Sequence, residues 1–300
     1  MSVWLAPAKL NLFLHVLGRR QDGYHLLQSL FCLIDWCDEL EFMPNQLATI
    51  TRQTQLDWPE SQDLSIRAAK ALRAVGIEMG VLSARAGCAI SIKKSIPSGA
   101  GLGGGSSDAA TTLLALNALW QLGLSRDQLS EIGLALGADV PFFLFGKPAL
   151  VTGIGESMTS LTCAAAWFVV AVPPEPISTQ TIFEDSQLQR DNPALPADEL
   201  LAACQASRWV GGRNDLEPVA HMRFPVVRDW ADRLKAHAQS IGLPTEAVRM
   251  SGSGGALFVS CATQFEAAEL AKTLVDSGFD ADRIRLCKTL ARHPSAEQLP

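Results

Sequence analysis

The sequence predicts an α+β fold in two domains, residues 1–160 and 161–300, with mostly antiparallel sheets and helices packed on one side. Three observations carry this prediction. Strand-like alternation and helix-like apolar spacing both occur, but the two kinds of segment do not alternate strictly, so the pattern of a parallel sheet is missing. The composition shifts after the 140s, where Pro173, Pro174, Pro176, Pro193 and Pro196 punctuate a polar stretch that reads as a long connection. A second block of strand, glycine loop, strand, helix and strand follows it. With 300 residues, 48% apolar and 19% charged, the chain has material for full globular cores.

Residues 8–17 alternate. Leu10, Leu12, Leu14 and Val16 share one face, and Lys9, Asn11, Phe13 and His15 share the other, which predicts a strand with one core face. Asp22-Gly23 signals a turn. Strand-like segments follow over 26–35 and 38–43. Residues 61–75 read as a helix with Leu64, Ala68, Ala71, Leu72 and Val75 on one side, and 88–93 as a strand. A glycine loop comes next, then a helix over 106–121 packing through Leu113, Leu114, Leu116 and Leu119. Ser125 is placed to cap a further helix carrying Leu129, Ile132 and Leu136. Beyond the connection, 226–240 reads as a helix. Strands at 246–250 and 256–260 flank a second glycine loop, Ser251-Gly252-Ser253-Gly254-Gly255, followed by a helix over 263–277 and a strand over 283–289.

The net charge of −6 argues against a surface for nucleic acid or another polyanion, so any anion site must be local. The doublets Arg19-Arg20 and Lys93-Lys94 lie beside loops, either at such a site or as solvated surface charge. Seven cysteines are odd in number and scattered, with no Cys-x-x-Cys and no Cys/His pairing, which predicts reduced core thiols and no protein-held metal centre. The N-terminus lacks a basic segment leading into an apolar block, and the longest apolar run, near Ala164 to Pro174, is too short to span a bilayer. The expectation is a cytoplasmic protein, monomer or homodimer, whose partner is a small molecule and not a membrane or nucleic acid.

The densest signal is Pro97-Ser98-Gly99-Ala100-Gly101-Leu102-Gly103-Gly104-Gly105-Ser106-Ser107-Asp108. It holds five glycines in seven positions and runs into a helix. Such a loop allows positive φ and close approach of backbone to a ligand, and a helix N-terminus points unpaired N–H groups at an anion. Gly99-x-Gly101-x-x-Gly104 formally matches a dinucleotide fingerprint, but Lys94 to Pro97 separate the strand from the glycines and a second helix follows the first where a strand is needed. No Gly-Lys-Ser/Thr ends the loop, so it is not a Walker A motif.

Pro-x-x-x-Gly-Leu-Gly-Gly-Gly-Ser-Ser-Asp-Ala-Ala resembles the phosphate loop of the GHMP kinases, the superfamily of galactokinase, homoserine kinase and mevalonate kinase. Further segments agree in order: Ala6-Pro7-Ala8-Lys9-Leu10-Asn11-Leu12, Asp22-Gly23-Tyr24-His25, Gly137-Ala138-Asp139-Val140-Pro141-Phe142-Phe143, Thr181-Ile182-Phe183, Asn214-Asp215-Leu216-Glu217-Pro218 and Met250-Ser251-Gly252-Ser253-Gly254. They span residues 6 to about 260 and are most similar to the branch that acts on a cytidine-diphosphate-linked polyol in non-mevalonate isoprenoid synthesis. The resemblance implies a two-domain GHMP kinase fold with the active site in the cleft. It also implies ATP as phosphoryl donor with Mg2+, and a tertiary 2-hydroxyl as acceptor.

The resemblance also assigns roles. Lys94, Pro97, Gly99, Gly101, Leu102, Gly103, Gly104, Gly105, Ser106 and Ser107 would hold the nucleotide; by residue type alone, one of the two serines caps the following helix. Asp108 suits the helix dipole and reads as structural. Asp139 would be the catalytic base, against the alternative of a helix or turn cap. Lys9 would pair with Asp139, against the alternative of a surface lysine, since an unpaired buried charge is costly. Asn11 would bind the polyol. Tyr24, the single tyrosine, with His25 would contact the cytosine, and Phe183 would close the other side; the alternative is a turn anchored by Tyr24 packing. Thr179 and Thr181 would add polar contacts. The segment Asp63 to Ala68 resembles a helix bordering adenine, where the family usually has Asn in place of Asp63.

Overall fold

A computed structural model describes residues 2–206, 208, 209 and 211–295. Two long strands organise the chain. β1 (Trp4–Arg19) and β2 (His25–Asn45) pair antiparallel through the Asp22-Gly23 turn, where Gly23 takes φ 92°. β2 is one strand, not the two segments expected. The break expected at Trp36-Cys37 falls beside a bulge at Asp35-Trp36, because Pro7 faces Cys37 while Ala8 faces Ile34. A second register shift between Asn11 and Phe13 breaks the alternation of β1. Both of its faces are buried by the elements packed on them, with Lys9, Asn11, Phe13 and His15 all at 4% exposure or less, which corrects the expectation of a single core face.

The other edge of β2 carries three partners in succession. β5 (Ala149–Gly153) pairs with Leu27–Phe31, β10 (Ile284–Leu290) with Leu33 and Ile34, and β4 (Gly87–Lys93) with Glu39–Asn45, all antiparallel. β3 (Ile50–Arg52) adds to β4 in parallel, and β6 (Ser157–Ser160) adds to β5. β10 also pairs with β7 (Trp167–Ala171), which leads to β9 (Leu257–Cys261) and β8 (Val248–Met250). β10 therefore joins the first and last parts of the chain in one sheet of order β3-β4-β2-β10-β7-β9-β8.

α1 (Leu64–Glu78), α2 (Gly104–Leu119), α3 (Arg126–Leu134) and α4 (Val140–Phe145) cover the first part. Ser125 caps α3 in a reciprocal box with Gln128, as its position predicted. α2 is buried on every side from Ser107 to Leu116, and each fully buried leucine there contributes about 1.5–3 kcal/mol. α8 (Pro225–Ser240) and α9 (Gln264–Asp276) cover the last part through Leu234, Leu270 and Leu274. The proline-punctuated connection holds two short helices, α5 (Thr179–Glu184) and α6 (Ala197–Gln205), before α7 (Glu217–Arg223). These pieces, with α4, β5 and β6, run four to nine residues, too short for periodicity to reveal. No helix among the described residues is long and apolar enough to cross a membrane.

Candidate active site

The first glycine loop is shaped by what it touches. Gly99, Gly101 and Gly103 hold φ of 71°, 79° and 73°, a region that L side chains avoid. A Cβ on Gly103 would lie 2.8 Å from the Phe143 ring, and one on Gly101 would lie 2.7 Å from Gly254 Cα. The loop is thus wedged between α4 and the second glycine loop. Two backbone hydrogen bonds fix it: Lys9 N–H donates to the Leu102 carbonyl at 2.9 Å, and Ala256 N–H donates to the Ala100 carbonyl at 3.0 Å.

α2 begins at Gly104, two residues earlier than expected, with Gly103 as its cap and no side-chain capping bond. Neither Ser106 nor Ser107 caps it, because both lie inside the first turn. Ser107 Oγ is buried without a hydrogen-bond partner, and so is Asp108 Oδ1. The first turn borders a cavity of about 420 Å3 lined by Pro97, residues 99–106, Lys94, Ser65 and Trp58. Lys94 borders this cavity, but its ammonium already bridges Asp38 and Asp108, the latter at 2.6 Å. Burial raises the Asp108 carboxyl to about 8 against the pull of Lys94. Asp63 is engaged by Arg52 at 2.8 Å and caps α1 through the Ser65 N–H.

A second cavity, about 580 Å3, is lined by Lys9, Asn11, Tyr24, His25, Thr179 and Phe183, with Ser29, Arg19 and Ser253 beside them. Lys9 is 4% exposed and is no surface lysine. Its Nζ donates to Asn11 Oδ1 at 2.6 Å, lies 3.7 Å from Asp139 Oδ2 and sits 4.9 Å from the Phe31 ring centroid. Burial lowers the Lys9 pKa, and the Asp139 charge opposes that shift. Asp139 occupies the N-cap position of α4 but makes no capping bond, so its carboxylate stays free for the cleft. Asn11 Nδ2 donates to Ser29 Oγ at 3.0 Å, and Asn11 N–H donates to Ser251 Oγ at 3.1 Å, tying β1 to the second glycine loop. Ser106 and Asp139 line both cavities, which therefore meet at those two residues.

At the far end, His25 faces Phe183 with ring centroids 5.0 Å apart, and Tyr24 stands 60% exposed at the rim. Thr179 Oγ1 shares a hydrogen bond with Ser253 Oγ at 2.7 Å. Thr181 is not brought in. On α5, Thr179, Gln180, Phe183 and Glu184 line the cavity, so helical geometry turns Thr181 to the exposed side. Four lining or supporting residues went unread in the sequence: Arg19, seen only as half of a basic doublet; Ser29; Arg190; and Ser253, seen only as part of a loop. The β1–β2 pairing that sets Ser29 opposite Leu14 follows from the same register shift that hid it.

Three comparisons bear on this arrangement. A family model described as the GHMP kinases N terminal domain matches residues 63–147. A 4-diphosphocytidyl-2-C-methyl-D-erythritol kinase of Cupriavidus necator is 46% identical over 292 residues, covering 97% of this chain and 94% of the relative. One of the same name from Burkholderia pseudomallei is 41% identical over 298 residues, with 97% and 94% covered. A crystal structure of 4-(cytidine 5'-diphospho)-2C-methyl-D-erythritol kinase superposes with TM-score 0.79 at 33% identity, covering 96% of this chain and 99% of that one. A mevalonate kinase structure superposes with TM-score 0.64 at 13% identity and shares the fold.

Proposed function

The chain belongs to the 4-diphosphocytidyl-2-C-methyl-D-erythritol kinase family of GHMP kinases, ATP-dependent small-molecule kinases of the non-mevalonate isoprenoid pathway, and from that premise we propose how its cleft divides the work. The smaller cavity receives the ATP triphosphate on the backbone N–H groups of residues 99–106. The larger cavity receives the acceptor, its cytosine between Tyr24, His25 and Phe183 and its polyol against Asn11 and Thr179. The 2-hydroxyl lies beside Asp139, which takes its proton as the γ-phosphoryl arrives. Lys9 orients that carboxylate and offsets charge on the transferring group. The products are the 2-phosphate and ADP. Residues 1–160 supply the nucleotide side and 161–300 the Phe183 and Ser253 walls of the cleft.

Mg2+ fits this site in one way. Among the described residues no cluster of three or more His, Cys, Asp or Glu could hold a metal, so the ion would ride on the nucleotide's own oxygens. The Ser106 hydroxyl, the Asp139 carboxylate and the unpartnered Asp108 Oδ1 are hard oxygen donors beside the phosphate loop. When bound, the ion would neutralise β- and γ-phosphate charge.

The observation that carries this reading is the junction itself: donor and acceptor cavities share Ser106 and Asp139. Its test is Asp139→Asn. Turnover of 4-diphosphocytidyl-2-C-methyl-D-erythritol should fall by about 10²–10⁴ while ATP still binds. Unchanged turnover would remove Asp139 from its role.

A further inference from the structure

Arg190 has no part in the reaction above, yet it makes four hydrogen bonds at the edge of the acceptor cavity. Its Nε donates to His25 Nε2 at 2.9 Å and its Nη1 to the Leu188 carbonyl at 3.0 Å. Its Nη2 donates to the carbonyls of Phe183 at 2.9 Å and Asp185 at 2.7 Å. The guanidinium thereby ties the start of β2 to the end of α5, and His25 and Phe183, which it joins, both line the cavity. A guanidinium stays protonated and can only donate, so the nitrogen it meets must accept. Burial and the charges of Arg190 and Arg19 hold the His25 pKa below the ordinary imidazole value, in the same sense as an Nε2 that accepts. A neutral imidazole that accepts at Nε2 carries its proton at Nδ1.

We infer that Arg190 is a positioning and specificity-determining residue: it fixes His25 as the Nδ1–H tautomer against Phe183, so that the clamp offers a hydrogen-bond donor to the base. The inference rests on the proposed function, since the base in question is the cytosine of the acceptor. Cytosine and uracil share the O2 acceptor but differ at N3, which accepts in cytosine and carries a donor N–H in uracil. A donor on the clamp that meets N3 therefore favours cytosine. The opposite tautomer would offer an acceptor and favour uracil. Losing one such contact in a desolvated site costs about tenfold in affinity.

The test has two arms. In the wild-type protein, 15N NMR of the His25 ring should show Nδ1 protonated and Nε2 bare; an Nε2–H tautomer overturns the inference, and this arm needs no variant. In Arg190→Met, KM for the cytidine acceptor should rise about tenfold. The preference for cytidine over the uridine analogue should fall by a similar factor, while kcat and the KM for ATP stay within about threefold. Arg190→Lys, a point charge without the fork, should recover only part of the loss. Unchanged KM and preference, or an equal loss in kcat and ATP affinity, would refute the positioning role. Failure of the underlying reading looks different: the wild-type protein itself would not turn over the cytidine acceptor, whatever the tautomer.

Discussion

Replacing Gly101 with alanine tests the idea that the two glycine loops are built against each other. The backbone there has φ 79°, and for an L-residue that conformation costs roughly 1–2 kcal/mol. The new Cβ would also meet backbone, lying 2.7 Å from Gly254 Cα, 2.8 Å from Gly254 N and 2.8 Å from the Ser251 carbonyl oxygen. Against an ordinary contact of 3.4 Å the overlap is roughly 0.7 Å, and no flexible side chain is there to yield. Overpacking of this kind costs about 1–3 kcal/mol, so Gly101→Ala should lose about 2–5 kcal/mol in all. Forcing the loops apart should also displace the Leu102 carbonyl that holds the Lys9 N–H, and weaken ATP binding with it. Gly105→Ala in the same loop is the control. That glycine has ordinary φ, lies in the first turn of α2, and its Cβ would find only Leu64 Cδ1 at 3.7 Å. It should gain about 0.5–1 kcal/mol from helix propensity. Urea unfolding of both variants, with the ATP KM of Gly101→Ala, reads the contrast. A Gly101→Ala protein with the wild-type urea midpoint and unchanged ATP KM would refute the interlocked-loop picture.

Three other perturbations separate structure from chemistry. Lys9→Met exchanges a buried ammonium for an apolar chain of similar length but leaves the buried Asn11 Oδ1 without its donor, so stability to urea should fall by only about 1–3 kcal/mol while turnover falls at least about a hundredfold; a stability loss with turnover intact would mean that Lys9 is only structural. Lys94→Met should strand the buried Asp38 carboxylate and leave the Asp108 carboxyl without its donor, and cost about 3–5 kcal/mol in a denaturation experiment; a variant with full stability and only a raised ATP KM would contradict the bridge. His293 is buried, accepts the Ser295 N–H at its Nδ1, and has its pKa pushed by burial from 6.5 down to about 3. Between those values the unfolded chain binds a proton that the folded chain does not, so stability falls as pH drops through that window, by up to about 1.4 kcal/mol per pH unit. His293→Gln should flatten that limb of a stability-versus-pH curve measured by urea titration, and an unchanged limb would count against the assignment.

Much of this molecule was legible before folding because its signals are local. The positive φ values of Gly99, Gly101 and Gly103 need residues without a Cβ, so the first glycine loop announces itself in composition. The Ser125 capping box and the apolar stripes of α1, α8 and α9 likewise depend on residues within a few positions of one another. The pairing of Lys9 with Asp139 was legible only through resemblance, since nothing local relates two residues 130 positions apart. What the tertiary structure alone decided came from contacts distant in sequence. Packing on both sides buries both faces of β1, and the register of the β1–β2 pairing sets Ser29 beside Asn11. Helical phase turns Thr179 and Phe183 into the cavity and Thr181 out of it. Arg190 reaches His25 across 165 positions, and Lys94 is spoken for by Asp38 and Asp108 before any nucleotide arrives. Local residue chemistry sets which turns, caps and stripes can form; which side chains then share a site depends on strand register and packing, and those are settled only when distant segments meet.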